Sequence, residues 1–225
     1  MSELKLQNLR MHITGVTGHR DLDDADRPGL ERAVHACMDD IEALYSKRKY
    51  CLASGLAAGA DQLVAQCALD RKWELHAVIA SSPSDSLVAT MPDLEAHVLD
   101  ASIKSFASTM SENEAHKLQN YFLPRCNEVI ILSPNSMDEI AGYVAVATEL
   151  VESADSLIAL WDGAPGRGAG GTAYTLTSFL EASTTIIHQL EAERTVYWVR
   201  TRRSGELLYS VAPEWKKIQL KNLTI

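Results

Sequence analysis

Little in this chain points outward from a folded core. No C-x-x-C pair occurs among Cys37, Cys51, Cys67 and Cys126, so neither a zinc knuckle nor a disulfide framework is signalled, and the four read as reduced core or near-core thiols. No window of unbroken apolar residues reaches membrane-spanning length, and Met1–Lys5 lacks the basic and apolar regions of a signal peptide. A cytoplasmic location is therefore expected. An excess of positive charge is also missing. The formal net charge of -9 and pI near 5.2 disfavour non-specific contact with a phosphate backbone, and nucleic acid is not the expected partner.

The chain has 225 residues, 46% of them hydrophobic and 23% charged, which is ordinary for a globular protein and ample for a core. No linker or internal repeat interrupts it. A single domain over residues 1–225 is expected, with a strand or hairpin extension at about 194–225.

The periodicity alternates between strand and helix. Met11–Gly15 reads as a strand entering a loop over Val16–Leu22. The following helix places Leu30, Val34, Cys37, Ile41 and Leu44 on one face. Tyr50–Ser54 and Leu75–Ala80 read as strands around a helix over Ala60–Arg71 that turns Leu63, Val64 and Cys67 inward. Glu128–Leu132 and Ser156–Trp161 flank a helix whose Ile140, Tyr143, Val144, Ala147 and Val151 share a face. A last helix over about Thr172–Glu193 leads to a strand at Thr195–Val199, with a hairpin turn at Arg200–Gly205 into Glu206–Val211. Pro92–Phe122 is polar, with sparse apolar residues, and reads as loosely packed helices or a lid. Near-continuous apolar strands alternating with amphipathic helices predict a Rossmann-like α/β fold, a doubly wound, mostly parallel sheet with helices on both faces.

Three glycine-bearing loops each follow a strand and precede a helix, where such a sheet presents ligands at its carboxyl edge. In Trp161-Asp162-Gly163-Ala164-Pro165-Gly166-Arg167-Gly168-Ala169-Gly170-Gly171-Thr172, closely spaced glycines allow backbone amides to approach a phosphate at the helix start. Thr172 is placed to cap that helix. No Lys follows the last glycine, so this is not a Walker A loop. A mobile surface loop is the alternative.

The first loop joins Gly15, Thr17, Gly18, His19 and Arg20, with Arg20 suited to an anion. Alternatively His19 and Arg20 bridge to Asp21, Asp23 or Asp24. In Ser54-Gly55-Leu56-Ala57-Ala58-Gly59-Ala60-Asp61, small residues permit close approach, and Asp61 either organises the turn or accepts ribose hydroxyls. Trp161 either stacks on a base or joins the core. No residue set has metal-ligand spacing, and neither a G-x-S-x-G elbow nor a Cys–His pair signals a covalent nucleophile. Arg200, Arg202, Arg203, Lys216, Lys217 and Lys221 gather in the tail as a solvated face or a protein-partner contact.

Taken in order, Thr17-Gly18-His19-Arg20, Ser54-Gly55 with Gly59-Ala60-Asp61, and Trp161-Asp162-Gly163 with Gly168-Ala169-Gly170-Gly171-Thr172 resemble the SLOG superfamily. That group unites the DNA-processing protein A and Lonely Guy families, and the resemblance covers roughly Met11–Val199. It implies a nucleotide or nucleotide-derived ligand at these loops and no covalently bound cofactor. The implied roles are a ligand sensor in bacterial defence or stress signalling, often self-associating, or a phosphoribohydrolase of cytokinin-type nucleotides. The cleaving enzymes carry P-G-G-x-G-T-x-x-E, and here Thr175 stands at the glutamate position. A threonine supplies no carboxylate for an oxocarbenium-like centre, which argues for a binding module over a hydrolase. Asp162, Asp61 and Glu181 are the candidate acids for the hydrolase.

Overall fold

A computed structural model describes residues 10–80, 110–132, 139–166, 168–186, 194–205 and 214–218. Strands β1 (Met11–Gly18), β2 (Lys49–Ser54), β3 (Glu74–Ala80), β4 (Glu128–Leu132), β5 (Ser156–Trp161), β6 (Thr195–Arg200) and β7 (Trp215–Ile218) form one sheet in the order β4-β3-β2-β1-β5-β6-β7. Every pairing is parallel except β6 with β7. The helices are α1 (Arg27–Leu44), α2 (Ala60–Asp70), a short α3 (Glu112–Lys117), α4 (Glu139–Ser153) and α5 (Thr172–Ile186). This is the Rossmann-like, doubly wound α/β architecture that the alternation predicts.

Two cores clamp the sheet. Leu30, Val34, Cys37, Met38 and Ile41 of α1 and Leu63, Val64 and Cys67 of α2 cover one face, against Val16, Leu52, Leu75, Ile158 and Tyr197. Leu176, Phe179 and Leu180 of α5, with Val151 of α4, cover the other, against Leu157, Ala159 and Val196. Strands buried on both faces have no polar side to show, so their sequences run apolar without alternation.

Several expectations are corrected. β1 runs three residues further than Gly15, because Thr17 and Gly18 still pair with Ala159 and Leu160 of β5. The glycines there serve close packing: a Cβ on Gly15 would meet Leu157 and Ala154, and one on Gly18 would collide with Ala60. Leu44, the last residue of α1, and Ile140, the second residue of α4, are exposed (53% and 51%) rather than buried on the face expected of them. Leu118 and Phe122 are fully buried in the first core, reached by a π-turn (Leu118–Phe122) after α3, so this end of the middle segment is tightly packed. The rest of it, 92–109, lies outside the described residues, as do the expected strand Glu206–Val211 and residues 187–193 of the last helix. The antiparallel partner of β6 is instead β7.

Strand order reverses between β1 and β5: β1 leads outward through β2, β3 and β4, and β5 leads the other way through β6. At such a switch point the loops leaving neighbouring strands diverge to opposite faces and leave a crevice outside the carboxyl ends.

Candidate functional site

A cavity of about 440 Å³ occupies that crevice, lined by the ends of β1 and β5, the start of α2, one flank of α4 and the loop into α5. The size is that of a small-molecule site.

The ends of β1 and β5 are tied together through His19. Its N–H donates to Leu160 O (3.2 Å), and its carbonyl accepts from Ala60 N–H (2.9 Å), the first residue of α2. This docking brings the helix so close that residue 59 must be glycine: its φ is +78° and a Cβ would overlap the carbonyls of His19 and Arg20. The His19 ring is buried, with Nε2 3.1 Å from the Asp162 N–H and 3.2 Å from Asp162 Oδ2. Burial lowers the imidazole pKa, with Asp162 opposing and Arg203 assisting. The ring is thereby kept neutral at pH 7, so Nε2 accepts from the Asp162 N–H.

Burial pushes the Asp162 carboxyl up, but the Ala164 N–H and Arg203 outweigh it and hold the group ionised, below the usual carboxylate value. Asp61 is opposite in character. It sits in the first turn of α2 on the cavity wall, and burial pushes its carboxyl up to about 7. The Ala57 N–H (3.3 Å to Oδ2), Arg20 and Ser54 only partly offset this. The two cavity carboxyls thus carry different charges near neutral pH, the usual basis for dividing acid and base roles.

The turn that holds Asp61 is stiff. Ser54 Oγ accepts the Leu56 N–H (2.9 Å), Gln62 Nε2 donates to Leu56 O (3.3 Å), and Leu56 has φ +53°. A non-glycine residue in the left-handed region costs about 1 kcal/mol or more, so the surrounding bonds must enforce it.

On the far side, the loop after Trp161 folds back with Gly163 and Gly170 at φ +85° and +76°. A Cβ on Gly170 would come within 2.6 Å of Tyr143 Cβ, so this glycine seats the loop against α4. Gly168, by contrast, faces open space. α5 begins at Thr172, and Gly171 O accepts both the Thr175 N–H (2.9 Å) and the Thr175 hydroxyl (3.1 Å). The first-turn amides of α5 lie beside the cavity, where a helix start favours negative charge.

Of the residues expected at the site, Thr17, Gly18, His19, Arg20, Gly55, Asp61, Trp161, Asp162, Gly168, Gly170, Gly171 and Thr172 line this one cavity. Gly15, Ser54 and Gly59 do not, because they serve strand packing, the turn and helix docking. Glu181 is exposed in the third turn of α5, away from the cavity. Arg20 makes no bridge to the neighbouring aspartates and lies over the Tyr143 ring, 5.0 Å from its centroid. Arg202 and Arg203 take two of those acids instead: Arg202 pairs with Asp23 (3.0 Å), and also with Asp26 (2.6 Å), and Arg203 with Asp21 (3.1 Å), while Asp24 pairs with Arg27 (3.7 Å). Lys217 pairs with Asp40 (2.9 Å). These tail cations thus face the chain's own carboxylates. Arg167 and Lys221 lie outside the described residues.

Sequence reasoning missed the α4 wall, where Tyr143, Val146, Ala147 and Leu150 form the apolar side of the cavity. Their three- and four-residue spacing is equally that of a core face. Among the described residues no cluster could hold a metal ion, and no helix is long and apolar enough to cross a membrane.

No family model matches the chain, and no curated protein matches it. Among solved structures, DNA processing protein A from Streptococcus pneumoniae is similar with a TM-score of 0.48 and 15% identity, over 90% of this chain and 54% of that one. The chain therefore spans about half the length of that protein.

Proposed function

We propose that this protein binds a nucleotide or nucleotide-derived molecule, such as ADP-ribose, NAD or a cyclic nucleotide, as a sensor or regulatory module. The supporting observation is the joint placement, in one 440 Å³ cavity, of the α5 start and its glycine turn opposite the Asp61 and Asp162 carboxyls. Phosphate oxygens suit the amides and Arg20. Ribose hydroxyls suit the carboxyls, and an apolar base suits the Val146 and Leu150 side. By its resemblance to SLOG proteins, we propose a role for this module in bacterial stress or defence signalling, as a homo-oligomer.

Thr175 supports binding over cleavage: it is buried and its hydroxyl is bonded back to Gly171 O. The hydrolase reading draws on Asp61, whose carboxyl at about 7 is matched to general-acid work near neutral pH.

Thermal melting against AMP, ATP, NAD, ADP-ribose and cyclic nucleotides, followed by chromatography of the same mixtures, separates the readings. A ligand present at a hundred times its Kd stabilises the fold by about 2.7 kcal/mol. A shift with ligand recovered intact, and weakened in Arg20→Ala, is the expected result. Released base that disappears in Asp61→Asn would establish the hydrolase, and silence across the panel would overturn the ligand reading.

A further inference from the structure

The segment after β6 does not leave the sheet. Thr201 N–H donates to Trp161 O (3.1 Å) and Ser204 N–H to Asp21 O (2.7 Å), and Arg203 forms an isolated antiparallel bridge with Leu22. Arg202 holds Asp23 and Asp26 at the entry to α1. Residues 201–204 are thus a short arm laid across the β1–α1 loop and the end of β5, both of which border the cavity.

Arg203 is where the arm meets the site. Its Nη1 lies 3.1 Å from Asp21 Oδ1 and its Nε 3.4 Å from Asp162 Oδ2, and Arg203, Asp21 and Asp162 all line the cavity. Asp162 in turn lies against His19. One guanidinium, from the segment after β6, therefore joins the two loops that frame the crevice. A guanidinium of this kind suits phosphate as well as carboxylate. An anion entering the cavity adds a third negative group around it.

We propose that Arg203 is a positioning residue of the ligand site, and that it couples a phosphate in the cavity to docking of the 201–204 arm. The ligand half rests on the function proposed above; the link from Asp162 to the arm does not. By reciprocity, whatever free energy the arm lends to phosphate binding, phosphate returns to arm docking.

The test uses the full chain, with hydrogen exchange read at 201–204 and affinity read for two probes that differ only in a phosphate, AMP and adenosine. Without ligand, Asp162→Asn is expected to speed exchange in the arm at least threefold while α2 stays unchanged; unaltered arm exchange overturns the Asp162 link. With AMP at saturation, arm exchange in the wild type is expected to slow. Arg203→Gln should weaken AMP at least tenfold and leave adenosine within twofold, and Arg203→Lys should recover part of the loss. Equal AMP affinity in wild type and Arg203→Gln overturns the coupling alone. Loss of AMP and adenosine to the same degree makes Arg203 merely structural and overturns it too. Absence of AMP binding to the wild type overturns the ligand half together with the proposed function.

Discussion

At the amino edge of the sheet, His12 Nε2 and Ser156 Oγ share a hydrogen bond (3.0 Å), Thr14 Oγ1 lies 3.0 Å from the same hydroxyl, and His12 Nδ1 lies 3.8 Å from Asp155 Oδ2. At the carboxyl edge of the same two strands, His19 lies against Asp162. The residue types nearly repeat, and the first set even has the chain of contacts of a serine nucleophile, its base and an orienting acid. Access separates them. His12, Thr14 and Ser156 have no exposed surface, and His12 is stacked on Tyr45 with centroids 4.0 Å apart. His19 and Asp162 open on a cavity. A hydroxyl, an imidazole and a carboxylate brought together are therefore evidence of chemistry only where a substrate can reach them; sealed between strands, the His12, Thr14 and Ser156 side chains bond to one another and link β1 with β5, while His12 Nδ1 is left without a hydrogen-bond partner.

That contrast can be broken at several points. The largest effect belongs to Gly59→Ala, since the left-handed backbone and the carbonyls of His19 and Arg20 leave no room for a methyl group. A loss above about 3 kcal/mol is expected in urea denaturation, and a wild-type midpoint would mean that α2 is not docked as described. Next comes the amino edge under acid. Burial lowers His12 from 6.5 to about 4, against the pull of Asp155, so the unfolded chain takes up this proton before the folded one does. Stability is then intact above pH 6.5 and falls between pH 6.5 and about 4, by about 3 kcal/mol in all. His19 acts in the same direction, so the diagnostic measurement is His12→Gln, whose stability curve should be flatter over that window. The smallest effect on stability, within about 0.5 kcal/mol, is expected for Gly168→Asp. There the added side chain meets open space, yet its charge faces the amides of the loop, so ligand affinity should drop at least tenfold by calorimetry. The same substitution at Gly170 would disturb the fold instead, through Tyr143.

What could be read in advance divides along the same physical line. Signals set by local periodicity were legible. Leu30, Val34, Cys37 and Ile41 recur at helical spacing and are buried as expected, and the glycine loops converge because a parallel sheet puts every strand-to-helix turn on one edge. Signals set by distant neighbours were not. Gly15 and Gly18 looked like loop residues, and only the approach of Leu157 and Ala60 reveals why a strand needs them. Tyr143 and Val146 were indistinguishable from core positions until the switch point emptied the space in front of them. Arg203 looked like tail charge, since its partners Asp21 and Asp162 lie 182 and 41 residues away.

Four tryptophans are present, and their placement is uneven. Trp73 stacks on Tyr50 and donates to Glu42, and Trp215 lies near Tyr197, all away from the crevice. Trp161 alone among them lines the cavity, tilted against Trp198, whose indole N–H donates to Trp161 O (2.9 Å). The protein thus carries its own optical probe. Occupancy of the crevice should change the emission of one indole of a close pair, while Trp73 and Trp215 provide a steady background, and Trp161→Phe identifies the source. Screening for the ligand then needs no label, only a lamp and a titration.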